Sequence, residues 1–254
     1  MTVLITGASS GIGAALAQEC AMRGNTLFIC GRNIERLSRV AEKCRNAGAI
    51  VYDEAIDVTD AENVRRWIER CDANSPIELV FSNAGVATGI ENETNIRTTF
   101  AVNVNGNLNV VLPVIELFRK RGKTDTMRQI AITASIAGYG PLKACPSYSA
   151  TKSCMKTWAL SLRGMLAREG IGVSCICPGF VESRITAANT CPMPFLMSAE
   201  KAARIILRRV KRNSALIAFP WQMRLAVYLL SILPAALNDF INRFLPQKVS
   251  AGRK

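Results

Sequence analysis

Residues 2–17 read TVLITGASSGIGAALA. Positions 2–6 form an apolar run that suits a buried strand, and the end of the stretch suits a helix. Three glycines lie between them, at positions 7, 11 and 13. Glycine permits a tight turn there and lets a pyrophosphate approach backbone N–H groups at a helix N-terminus. The spacing G-x-x-x-G-x-G differs from the standard fingerprint, so an ordinary strand-to-helix turn is the alternative.

The rest of the chain alternates short apolar runs with helical stretches. Runs that are apolar along their whole length are typical of strands buried between two helical layers, and the regular order predicts a parallel sheet. The predicted fold is a Rossmann-like, doubly wound parallel α/β sheet of about seven strands with helices on both faces. The predicted strands are 2–6, 26–30, 49–55, 77–81, 127–134, 172–177 and 215–219. The predicted helices are 11–23, 34–47, 60–71, 95–120, 147–168 and 199–211, with a cap at Thr59 or Asp60 and a possible bend at Pro113.

Composition excludes several classes of protein. The chain has 254 residues, of which 49% are hydrophobic and 20% charged, which is ordinary for a globular protein and excludes disorder and collagen. It contains no histidine, so no histidine-based mechanism is available, and its nine cysteines are scattered, so we expect no metal site. We expect reduced cysteines in the cytoplasm, because Met1 leads directly into a strand without a charged leader. Cys175 and Cys177 are expected on opposite faces of their strand.

The charge lies at the C-terminal end. The net charge is +13, and residues 201–254 hold 11 bases against one acid, Asp239. We therefore divide the chain into a domain at 1–219, which includes a loop at 180–198, and a basic, apolar and amphipathic helical extension at 220–254.

The ends of the predicted strands carry polar side chains. Arg32 follows the second strand, where an acid would favour NAD and an arginine suits the 2′-phosphate of NADP; a solvated surface arginine is the alternative. Asp57 follows the third strand and Asn83 the fourth, at the edge where open α/β sheets bind ligands. Taken singly, each is compatible with an ordinary turn.

Ser135, Tyr148 and Lys152 form the most informative group. Tyr148 and Lys152 are four residues apart on a predicted helix and therefore share a face. An adjacent ammonium lowers the pKa of a tyrosine by favouring the phenolate, which suits the tyrosine to acid–base chemistry. The Ser135 hydroxyl follows a strand that ends at the same crevice and could hold a carbonyl oxygen. A chance helical pair is the alternative for the tyrosine and lysine alone.

These pieces together resemble the short-chain dehydrogenase/reductase family, in its single-domain branch of about 250 residues. The resemblance covers residues 2 to about 183. Its motifs are Thr6-Gly7 with Gly11-Ile12-Gly13, Asp57-Val58, Asn83-Ala84-Gly85, Asn103-Val-Asn-Gly106, Ser135, Tyr148-Ser-Ala-Thr-Lys152 and Pro178-Gly179.

The resemblance implies roles for individual residues. Tyr148 would be the proton donor or acceptor, Lys152 would lower its pKa and hold the nicotinamide ribose, Ser135 would orient the carbonyl, and Asn103 would fix a water near Lys152. Ser183 stands where the family often has threonine, and the hydroxyl is kept. The implied cofactor-binding residues are Gly7, Ser9, Gly11, Ile12, Gly13, Arg32, Asp57, Val58, Asn83, Ala84, Gly85, Tyr148, Lys152, Pro178, Gly179, Val181 and Ser183.

The expected function is hydride transfer between nicotinamide and a carbonyl or secondary alcohol, with NADP(H) favoured over NAD(H). A non-catalytic dinucleotide sensor or scaffold at a membrane surface is the alternative. The loop at 180–198 carries Ile185, Phe195 and Met197 and indicates a hydrophobic substrate, with simple packing as the other interpretation. The family leads us to expect a homodimer or homotetramer through helices 95–120 and 147–168, with Met155, Leu162 and Met165 as contacts.

The extension has two interpretations. After Pro234 an amphipathic helix is expected, with one face formed by Leu237, Phe240, Ile241, Phe244 and Leu245. With its flanking bases it could lie on an anionic membrane, or it could pack on the body or a partner subunit. Nucleic acid is disfavoured, because the bases lack interleaved aromatic residues.

Overall fold

A seven-stranded parallel sheet forms the centre of the protein in the computed structural model, which describes residues 1–122, 126–187, 192–234, 236–237 and 240. The strand order β3-β2-β1-β4-β5-β6-β7 is that of a doubly wound sheet, so the predicted fold is confirmed. The strands are β1 Thr2–Thr6, β2 Thr26–Gly31, β3 Ile50–Ala55, β4 Leu79–Ser82, β5 Gln129–Thr133, β6 Gly172–Pro178 and β7 Leu216–Phe219.

Helices connect the strands and cover both faces of the sheet. They are α1 Gly11–Cys20, α2 Ile34–Asn46, α3 Ala61–Asn74, α4 Glu93–Phe100, α5 Gly106–Arg121, α6 Pro146–Leu166, α7 Arg184–Ala187, α8 Ala199–Lys211 and α9 Trp221–Ser231. Side chains cap several of them in the expected way: the Asp60 carboxylate accepts the backbone N–H of Asn63 at 3.0 Å, so Asp60 rather than Thr59 is the cap of α3.

Two apolar layers hold the helices to the sheet. One lies against α1, α2 and α8 and includes Leu16, Leu37 and Ile206; the other lies against α3, α5 and α6 and includes Ile68 and Phe118. The strand order reverses between β1 and β4, and the crevice that opens at the carboxyl ends of these strands is where such sheets bind ligands.

The sequence predicts a single regular helix at 95–120, and this prediction is wrong. The chain is helical from Glu93 to Arg121, but a π-helical turn at Ala101–Asn105 separates α4 from α5. The extra residue of a π turn shifts the helical face locally, and such turns are frequent at functional sites. This helix is apolar and long enough to cross a membrane, yet half of its most apolar window is buried, as in a core helix of a globular domain.

Two further expectations need correction. Cys175 and Cys177 share a face of β6, with their Sγ atoms 3.7 Å apart, because residues two apart on a strand point the same way. Met155 and Leu162 are buried in the core and cannot be subunit contacts, whereas Met165 is exposed. The two apolar layers contain buried cysteine thiols outside any disulfide, namely Cys20, Cys30, Cys44, Cys71, Cys175 and Cys177.

The extension begins as a helix that touches the body. A Cβ built on Gly140 would lie 3.1 Å from the Cβ of Ser231 in α9, so α9 packs beside the turn that follows β5. Leu237 and Phe240 are exposed. The other members of the predicted amphipathic face, Ile241, Phe244 and Leu245, lie outside the described residues.

The first turn provides a test of the fold. We expect Gly13→Ala to lower the free energy of unfolding by about 1–3 kcal/mol, because its Cβ would collide with the Gly7 carbonyl oxygen and lie 2.7 Å from the Asn83 amide nitrogen. Chemical denaturation measures the change. Gly164→Ala in α6 is the control: a Cβ there meets nothing within 4 Å, so the substitution should be neutral or stabilising. Equal effects of the two substitutions would contradict the close packing of this turn.

Candidate functional site

The glycine turn is fixed to the start of the loop that follows β4. The Thr6 hydroxyl accepts the backbone N–H groups of Asn83 at 3.0 Å and Ala84 at 3.1 Å, and the Asn83 amide donates to the Thr6 carbonyl at 3.2 Å. Gly7 has a φ of +68°, which favours glycine. The turn therefore stays open in front of the N-terminus of α1, where backbone N–H groups can receive a phosphate.

Ser135 lies at the end of β5 and faces the crevice. Its hydroxyl accepts the backbone N–H of Ala137 at 3.1 Å and donates to the Pro178 carbonyl at 3.4 Å. These contacts connect the ends of β5 and β6 and fix the position of the hydroxyl.

Lys152, on α6, lies at the same crevice as Ser135. Its ammonium is buried and donates to the Thr133 carbonyl at 2.9 Å, and it lies 5.7 Å from the centroid of the Tyr148 ring. Burial lowers the pKa of Lys152 to about 8, since the charged form loses its water, and the nearby Cys177 and Cys175 act in the opposite direction.

The expected lowering of the tyrosine pKa is not what this structure shows. Removal of water around the Tyr148 phenol raises its pKa to about 12, and the hydrogen bond with Ser135 only partly opposes this effect. The loss of water is the largest contribution, and Lys152 donates to a backbone carbonyl rather than to the phenol. Tyr148 is therefore held in its protonated form, which is the form that donates a proton.

Asn103, in the π turn, holds the wall of the crevice. Its amide oxygen accepts the N–H of Val86 at 2.8 Å, and its amide nitrogen donates to the Val86 carbonyl at 2.9 Å and to the Thr151 hydroxyl at 3.1 Å. A Cβ built on Gly85 would lie 3.2 Å from the Asn103 oxygen and 3.3 Å from Lys152 Nζ. Asn103 therefore positions the strand end beside Lys152; the water expected from the family resemblance stays a prediction.

A single cavity of about 420 Å³ collects nearly all of the predicted site residues. Gly13 and Asn103 do not line it and support its wall from behind. The predicted residues that line it are Gly7, Ser9, Gly11, Ile12, Arg32, Asp57, Val58, Asn83, Ala84, Gly85, Ser135, Tyr148, Lys152, Pro178, Gly179, Val181 and Ser183.

Sequence reasoning missed a second arginine at the cavity. Arg36 lines the cavity with Arg32, and its Nε atom is buried without a hydrogen-bond partner among the described residues. The signal was present in the sequence, because Asn33 is a favoured N-cap that places Arg36 in the first turn of α2, close after Arg32. An unsatisfied guanidinium N–H at a helix N-terminus suits a phosphate.

The extension packs at the opposite end of the cavity. The sequence did not predict this contact in detail. A Cβ on Gly179 would lie 3.0 Å from Met223 Sδ, 3.0 Å from the Pro220 ring and 3.3 Å from Ile136 Cδ1. The loop at 180–198 contributes Ile185 to the lining, and Phe195 and Leu196 are exposed; residues 188–191 lie outside the described part.

Comparison with known proteins agrees with this geometry. The family model for short chain dehydrogenases matches residues 1–192. An uncharacterized oxidoreductase from Myxococcus xanthus is 36% identical over 247 residues, which cover 94% of each protein. The chain therefore belongs to the short-chain dehydrogenase family and is an NAD(P)-dependent oxidoreductase, which favours an enzyme over the non-catalytic sensor considered above.

Solved structures agree on the fold, and two of them contain a nicotinamide dinucleotide. A short-chain dehydrogenase from Sphingobium yanoikuyae in complex with NADPH is 25% identical, covers 100% of this chain and 99% of its own, and superposes with a TM-score of 0.79. A short chain dehydrogenase/reductase from Burkholderia phymatum in complex with NAD is 22% identical, with coverage of 98% and 97% and a TM-score of 0.82. The glycine turn, the arginine pair and the buried lysine fit a nicotinamide dinucleotide.

The buried lysine gives a prediction on pH. With a pKa of about 8 when folded and 10.5 as its ordinary value, Lys152 binds fewer protons in the folded protein between these pH values, so its contribution makes stability rise with pH there. We expect the melting temperature of the wild type, relative to Lys152→Met, to rise between about pH 8 and pH 10.5. Lys143→Met, which removes an exposed lysine outside the cavity, is the matched control. Parallel curves for wild type and Lys152→Met would contradict the assigned burial.

Proposed function

We propose that this protein is an NADP(H)-dependent reductase of carbonyl compounds, with Tyr148 as the general acid. The convergence of Ser135, Tyr148 and Lys152 on the cavity that also holds the glycine turn is the observation that carries the proposal. A bound nicotinamide supplies or accepts the hydride. The Ser135 hydroxyl orients the carbonyl oxygen, and Tyr148 donates its proton to that oxygen as the alcohol forms; the reverse transfer accompanies oxidation.

Tyr148 in its protonated state can act as the general acid of a reduction, and reduction is the proposed working direction because NADP(H) is the proposed cofactor. A phenol whose pKa is about 12 is present as the acid at neutral pH and can give up its proton once negative charge develops on the carbonyl oxygen. The role of Lys152 is to order this end of the cavity through Thr133 and to contact the nicotinamide ribose.

The arginines support NADP(H) over NAD(H). Arg32 and Arg36 both line the adenosine end of the cavity, and a 2′-phosphate would satisfy the unpartnered N–H of Arg36. The related proteins solved with NADPH and with NAD do not distinguish between the two cofactors.

A hydrophobic substrate fits the other end. Ile185 lines the cavity, Met223 and Ile136 pack at Gly179, and thioethers adapt to irregular apolar groups. We further propose that the protein is cytoplasmic. We also propose that it forms homo-oligomers, since Met165 on α6 and Leu112 on α5 expose apolar side chains.

Replacement of the general acid tests the reaction directly. After a panel of aliphatic and aromatic carbonyl compounds has identified one that consumes NADPH, Tyr148→Phe should lower kcat by about a hundredfold or more while leaving the NADPH-induced thermal shift intact. Tyr139→Phe is the matched control, since Tyr139 lies outside the cavity lining. Full activity of Tyr148→Phe would refute the proposed mechanism.

The arginines predict cofactor preference. We expect Arg36→Met to weaken NADPH binding about tenfold or more and to leave NADH binding nearly unchanged, because only NADPH carries the phosphate that the guanidinium contacts. Arg39→Met on the same helix is the control, since Arg39 is exposed and away from the cavity. Titration of both cofactors measures the change, and an equal loss for NADPH and NADH would contradict the assignment.

A further inference from the structure

The helix α9 is apolar on two opposite sides. Its inner row, spaced at helical intervals, is half-buried and consists of Met223, Val227, Leu230 and Ser231. Its outer row has the same spacing and consists of Trp221, Leu225, Tyr228, Leu229 and Ile232, whose side chains are between 48 and 67% exposed. A helix that is apolar all round is normally buried in a core or in a membrane.

Contacts of the inner row fix the orientation of the helix. Met223 Sδ approaches Gly179 at the end of β6, and the Ser231 Cβ approaches Gly140 in the turn after β5. Because the two rows lie on opposite sides of one helix, these contacts turn the outer row away from the body. The outer row is therefore a contiguous apolar surface rather than a scatter of single exposed side chains.

Charge indicates the kind of partner. Arg224 is exposed on α9 at the edge of the outer row, where it also interacts with the Tyr139 phenol, and the sequence from 220 to 254 holds five bases and one acid. This positive segment complements an anionic surface. Trp221 at the start of the helix and Tyr228 in its middle are of the amphipathic aromatic type that is enriched at membrane–water interfaces.

We propose that the outer row of α9 lies in the headgroup region of an anionic phospholipid bilayer, with the helix parallel to the membrane plane. The helix has 11 residues and is about 16 Å long, too short to span a bilayer, which needs about 20 residues. A second copy of the chain fits the outer row less well than an anionic bilayer does, because two such surfaces would bring like charges together.

The position of α9 also has a consequence for the substrate. Met223 on the inner row packs against Gly179, which lines the cavity, so the helix that contacts the lipid lies behind one wall of the cavity. A carbonyl compound dissolved in the membrane would then have a short path to the site. This consequence rests on the proposed reductase function, whereas binding to the bilayer does not.

Vesicle binding tests the proposal. The full-length protein is mixed with phosphatidylglycerol–phosphatidylcholine vesicles or with phosphatidylcholine vesicles, and binding is followed by co-sedimentation and by the tryptophan emission. We expect binding to the anionic vesicles that is weaker in high salt and weaker on phosphatidylcholine, with a blue shift that Trp221→Phe removes. The double variant Leu225→Glu/Leu229→Glu should reduce the partition coefficient about tenfold or more.

The control is Met22→Glu/Ile50→Glu, which makes the same charge change at two exposed apolar residues remote from α9. It should bind like the wild type, and all variants should keep the cooperative thermal unfolding transition of the wild type, which shows that they are folded. Failure of the wild type to bind, or equal binding by both double variants, would overturn the proposal. A wild-type dimer that the α9 variant dissociates, without vesicle binding, would assign the surface to a second copy and overturn it as well.

Discussion

The hydrogen bond from the buried Lys152 ammonium to the Thr133 carbonyl organises the functional end of this protein. It joins α6 to the end of β5 and so sets the position of Tyr148 on the same helix and of Ser135 just after the same strand. A buried ammonium requires such a partner, because removing a charge from water is costly. Burial of the Tyr148 phenol on the same helix raises its pKa to about 12.

The walls of the cavity are built from close backbone approaches. Gly13 lets α1 pack on the Gly7 carbonyl, and Gly85 leaves room for both Asn103 and Lys152. The π turn at Ala101–Asn105 places the Asn103 amide where it can hold Val86 from both sides. Local departures from regular structure therefore occur where the site needs side chains in fixed positions.

The C-terminal extension distinguishes this chain from a bare dinucleotide-binding domain. Its first helix, α9, contributes Met223 to the region next to Gly179, while its opposite side presents a row of apolar side chains. One short helix thereby packs behind a wall of the cavity on one side and exposes an apolar row on the other. In the membrane proposal, the bases that follow it in the sequence would supply long-range attraction and the apolar row the contact.

The sequence by itself predicted the order of strands and helices and the doubly wound sheet, and nearly all of its predicted site residues line one cavity. Glycine turns, apolar periodicity and strand-end polar residues are local signals, and parallel sheets bring strand ends to one edge; the individual cofactor-binding positions came from the family resemblance. The sequence also held the Arg36 signal, in the position of this arginine just after the Asn33 cap. Only the tertiary structure decided the raised pKa of Tyr148, the π turn and the two-sided exposure of α9. Those properties depend on burial and on contacts between residues distant in the chain, which no local pattern specifies.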